Sequence, residues 1–65
     1  MLPTGPQLRA RRVALDVSLT EIAAFLGISV PYLWDLEHGH RSMDEAKRRR
    51  YAAALRRVEE RKVKA

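Results

Sequence analysis

Arg9, Arg11 and Arg12 near the start, and a second group of Lys and Arg from Arg41 onward, are the side chains best suited to chemistry in this chain. The chemistry that cationic clusters serve is neutralisation of phosphate. Thirteen Lys and Arg against eight carboxylates leave a net charge of +5 on 65 residues, which points to a polyanionic partner. No Lys or Arg lies between Asp16 and His40, where Glu21, Asp35 and Glu37 make the chain acidic. Basic charge therefore flanks the middle of the sequence without entering it.

Other chemistries find less support. Asp35, His38 and His40 have the right types for a metal site, but the two histidines straddle Gly39 at an expected helix end. Imidazole is ordinary there, close to the negative end of the helix dipole, so no metal is expected. Neither a Ser/His/acid order with supporting glycines nor a phosphate loop is present, and the reading is of a binding protein with no cofactor, not an enzyme. The chain contains no cysteine, so neither disulfides nor thiolate metal sites can supplement a small core. Apolar stretches are broken within a few residues and Met1-Leu2-Pro3 lacks the features of a signal peptide. No membrane contact is expected, and a cytoplasmic location fits.

The elements that must position these residues are helices, within a single domain. Residues 1–6, with two prolines and a glycine, read as an arm. A first helix can start near Pro6, with Leu8, Val13 and Leu15 as its apolar positions. Ser18-Leu-Thr-Glu21 has the form of a capping box and opens a second helix with Ile22, Ala23 and Leu26 inward. Gly27 ends it, because glycine takes a left-handed conformation without a Cβ clash. Ser29 caps a third helix, Pro31 falls in its first turn, Leu33 and Leu36 face inward, and Gly39 stops it. Ser42-Met-Asp-Glu45 reads as another capping box, opening a long helix over 42–62 that frays after Lys62. Met43, Ala46, Tyr51, Ala54, Leu55 and Val58 form its apolar stripe. The fold class expected is all-α, with four helices.

Two helices of about eight residues are not stable alone, so the second and third must brace each other. Small Ala23, the Gly27 turn, and Ile28, Leu33 and Leu36 in the angle are what a helix-turn-helix over 18–39 needs. In such a unit one helix crosses the phosphate backbone while the next enters the major groove. From Leu8 to Ser42 the chain resembles the Cro/cI-type (XRE-like) helix-turn-helix of phage repressors and related bacterial regulators, a lambda-repressor-like fold. The most specific part is Ala23-x3-Gly27-Ile28-Ser29, followed by Tyr32-Leu33 and Asp35-Leu36-Glu37-x-Gly39.

The resemblance implies a repressor-type regulator of transcription that binds double-stranded DNA, and it assigns roles. Arg12 and Glu37 would form a structural ion pair orienting the third helix. Ser29, Val30, Pro31, Tyr32 and Asp35 would face the groove, and Arg9, Arg11, His40 and Arg41 would meet phosphates. The groove-facing set departs from the family, whose members often carry Gln, Arg, Asn or Ser there. Val30 and Pro31 can only pack on apolar features such as thymine methyls, while Asp35 could accept from a cytosine amine. An apolar, acidic third helix also suits a second reading, a protein-interaction module of antirepressor type using the surface Val30–Trp34. Finally, the long fourth helix is expected to outrun so small a body, with Leu55 and Val58 at the centre of a homodimer seam.

Overall fold

The computed structural model describes residues 2–64, and of Lys64 the backbone only. Four helices follow in order: α1 (Gly5–Ala14), α2 (Leu19–Leu26), α3 (Val30–Glu37) and α4 (Glu45–Lys64), with no strand among the described residues. No single helix among them is long and apolar enough to cross a membrane.

Each helix starts on a short polar side chain that takes up a free amide. Thr4 caps α1 in a full capping box: its hydroxyl accepts from the Gln7 amide at 3.3 Å and the Gln7 side chain accepts from the Thr4 amide at 2.9 Å. The expected arm is accordingly shorter than residues 1–6. Gly5 already belongs to α1 and is buried, so close to the Leu36 carbonyl that a Cβ would collide with it. Ser18 and Ser29 cap α2 and α3 as expected, accepting from the Glu21 amide at 3.1 Å and the Tyr32 amide at 3.2 Å.

The expected cap of the last helix is displaced. Asp44 rather than Ser42 accepts from the Lys47 amide, at 2.8 Å, and α4 begins at Glu45. A carboxylate suits the positive end of the helix dipole better than a hydroxyl does. The Lys47 amide, followed by the Lys47 ammonium, holds the Asp44 carboxyl below the usual range.

Two turns set the path between helices. Gly27, left-handed at φ 71°, closes α2 and brings the Ile28 amide to the Ala23 carbonyl at 3.0 Å. At the end of α1 the same conformation is taken by Asp16, at φ 59°. It brings the Val17 amide to the Arg12 carbonyl at 3.1 Å and folds Val17 into the core. α2 and α3 then meet at 103°, within the range of a helix-turn-helix.

The core is one cluster drawn from all four helices and the α1–α2 turn: Leu8, Val17, Ile22, Ala23, Leu26, Leu33, Tyr51, Ala54, Leu55 and Val58. Three expectations fail here. Val13 is 53% exposed, because Arg12 occupies the inward position of the last turn of α1. Ala46 is exposed, since the stripe of α4 meets the body only from Tyr51 onward, with Met43 partly buried ahead of it. Leu55 and Val58 do not form a dimer seam, being 0% and 9% exposed within one chain.

The physical reason for the last correction is length. A 20-residue helix is about 30 Å long, and the body is 35 Å along its longest axis. α4 therefore lies across both α1 and α2 instead of running past them, and Lys62 near its far end donates to the Leu15 carbonyl.

Leu55→Asp is expected to abolish folding, because an unpaired carboxylate would replace a fully buried side chain. Loss of the helical circular dichroism signal measures it. A folded, monomeric Leu55→Asp chain would contradict the packing described.

Candidate nucleic-acid interface

The inner edge of α3 is held by a charged cluster. Glu37, whose side chain is fully buried at the end of α3, faces Arg12 of α1 in a bidentate pair. Arg12 Nε donates to Glu37 Oε2 at 2.9 Å and Nη2 donates to Oε1 at 3.1 Å. The third nitrogen is used as well, with Nη1 donating to the Val17 carbonyl at 2.7 Å. Tyr51 of α4 completes the site by donating its hydroxyl to Glu37 Oε2. Three helices and one turn thus converge on a single carboxylate.

A buried ion pair persists only where its hydrogen bonds are satisfied, and here they are. Desolvation works against the Arg12 charge, but hydrogen bonding and attraction from Glu37, with help from Tyr51, outweigh it and raise the pKa. Burial, followed by the bond to Glu37, pushes the Tyr51 phenol well above its ordinary value. The pairing of Arg12 with Glu37 follows the sequence reading. The part of Tyr51 was not foreseen, since its place on the stripe of α4 marked it only as an apolar body.

The outer face of α3 is a different surface. Ser29, Val30 and Pro31 are exposed, while Tyr32 and Asp35 are half-buried. The polar members of this set are engaged with neighbours. The Ser29 hydroxyl caps the helix, Asp35 lies 3.7 Å from Arg41, and the Arg41 guanidinium sits 5.5 Å from the centre of the Tyr32 ring. Trp34, 43% exposed, stacks on His38 with ring centres 4.0 Å apart and on His40 at 5.4 Å. His38 also places Nδ1 2.8 Å from the Trp34 carbonyl, near the end of the helix. Among the described residues no three His or acidic side chains gather where a metal could bind.

Of the expected phosphate contacts, Arg41 and His40 lie beside this face. Arg9 and Arg11 are exposed on α1, turned away from the buried Leu8 and Arg12. Arg41 is exposed on the α3–α4 loop, where it shares a cleft with Thr4, Ser42 and Arg48. Arg48, from the run 47–50 whose charge could serve either solvent or a phosphate, is half-buried in that cleft, with its Nε buried and unpartnered. The neighbours of Arg48 are internally occupied. Lys47 pairs with Asp44 at 3.1 Å, Arg49 pairs with Glu45, and Arg50 donates to the Phe25 carbonyl at 3.4 Å. His40, although exposed, is taken up in the stack on Trp34.

No protein-family model, curated protein or solved structure matches this chain.

The cluster around Glu37 has two consequences for stability. Glu37→Ala should cost about 3–5 kcal/mol by stranding the Arg12 charge, and Tyr51→Phe about 1–3 kcal/mol by leaving Glu37 short of a donor. The Tyr51 phenol, ordinarily near 10.0, is raised by folding, so the unfolded chain loses that proton first. Its contribution is intact below pH 10 and declines as the pH climbs above it. Urea denaturation of wild type and Tyr51→Phe between pH 8 and 11 checks this. The advantage of the wild type over the variant should narrow above pH 10, and an unchanged difference would remove the assigned role of Tyr51.

Proposed function

We propose that this chain is a sequence-directed DNA-binding protein that lays α3 in the major groove. The observation carrying this reading is the division of α3 into two faces. Its inner edge is locked by Glu37, and its outer face takes no part in the core. A helix presented this way, at 103° to the helix before it, has the geometry by which helix-turn-helix proteins read base edges. Arg41 supplies a cation beside the face, and Arg9 and Arg11 are exposed on α1, in a chain of net charge +5. The resemblance to Cro/cI-type repressors from Leu8 to Ser42 supports the same function, and with it the role of a small phage-type or bacterial repressor in the cytoplasm.

Such regulators act on twofold sites, and two copies of this chain on one operator fit the reading. With Leu55 and Val58 committed inside the fold, contact between the copies has to use other residues.

The second reading, docking of a protein on Val30–Trp34, draws on the exposure of Val30 and Trp34 and on the lack of any cation from Val17 to His40. Salt dependence separates the two. For DNA binding, log K should fall linearly with log salt, by roughly 0.9 for each phosphate neutralised. Arg9→Ala and Arg41→Ala should each flatten the slope by about one unit. Fluorescence anisotropy on labelled duplexes at several salt concentrations measures this. A slope near zero, or no duplex bound at all, would favour the protein partner.

A further inference from the structure

On the face that α3 turns outward, Ser29 and Asp35 have neighbours within the chain. Ser29 gives its oxygen to the helix cap, at 3.2 Å from the Tyr32 amide. Arg41 lies 3.7 Å from the Asp35 carboxylate, offsetting its charge, and covers the Tyr32 ring. What stands unengaged in the first turn of the helix is Val30, 36% exposed, and Pro31 beside it. Neither side chain can donate or accept a hydrogen bond, and proline has no amide to offer either. At Val30 and Pro31, two of the five positions expected to face the groove, α3 is hydrocarbon.

The major groove displays donors and acceptors on every base pair but only one apolar group, the C5 methyl of thymine. A donor or acceptor facing Val30 or Pro31 would be desolvated without a partner, whereas a methyl would simply be buried. We infer that Val30 and Pro31 select DNA by packing against thymine methyl groups, so that the chain reads A·T pairs through an apolar contact instead of hydrogen bonds. The inference rests on the DNA-binding reading and specifies the feature recognised.

The test begins with duplexes enriched by the full chain from a random pool. Thymines of the bound site are then replaced one at a time by uracil, which removes the methyl and nothing else. At one or two positions affinity should fall about fourfold, the worth of one buried methyl-sized group. At those positions 5-methylcytosine·guanine should bind several-fold more tightly than cytosine·guanine, since it restores the methyl on an altered edge. Val30→Ala, an exposed substitution in a good helical position, should shrink the preference for thymine over uracil at those positions.

The outcomes are separable. Equal affinity for thymine and uracil at every position would overturn the methyl contact and leave DNA binding standing. No gain from 5-methylcytosine over cytosine would also overturn it, assigning the reading to oxygens and amines. A pool from which no duplex is enriched would overturn the inference together with DNA binding, and would point to a protein on this face.

Discussion

The carboxylate of Glu37 is the constraint on which the arrangement of this chain depends. Buried without partners, it would oppose folding strongly. It is tolerated because Arg12 and Tyr51 arrive from helices on either side of it in the sequence, and Arg12 also ties the turn that delivers Val17 to the core. Each of these bonds needs its own helix in one position. Satisfying a single group therefore fixes α1, α3 and α4 together, more narrowly than apolar contacts could in so thin a core.

The same constraint explains why α3 can serve two masters. Its packing is concentrated on Leu33, Leu36 and Glu37, all on one side. Gly5 lets α1 come against the Leu36 carbonyl, so the helix is pressed from behind as well as bonded. Nothing on the opposite side is needed to keep α3 where it is, and that side is consequently open to a partner.

Much of this was legible in the sequence, for identifiable reasons. Ser18, Gly27, Ser29, Pro31 and Gly39 act locally, and local rules placed α2 and α3. The Arg12–Glu37 pair could be expected from a resemblance that runs from Leu8 to Ser42 and so spans both residues. What the sequence concealed depended on distance in space. Tyr51 is indistinguishable from a core residue until Glu37 is seen beside it. Val13 looked apolar and inward, but the inward place in that turn belonged to a charged side chain whose partner lies 25 residues away. Leu55 and Val58 looked surplus because the crossing of α4 over α1 and α2 has no signature in one helix. The cap at Asp44 was missed for a simpler reason, since Ser42 two residues earlier offered the same motif.

Trp34 carries a consequence of another kind. It is the chain's one tryptophan, and it lies outside the core on the exposed side of α3, stacked on two imidazoles. In most small domains tryptophan emission reports the integrity of the interior. Here it reports the condition of the outer face, where the indole is stacked on His38 and His40. The protein is thus intrinsically fluorescent on the outer face of α3, while its interior is optically silent apart from tyrosine.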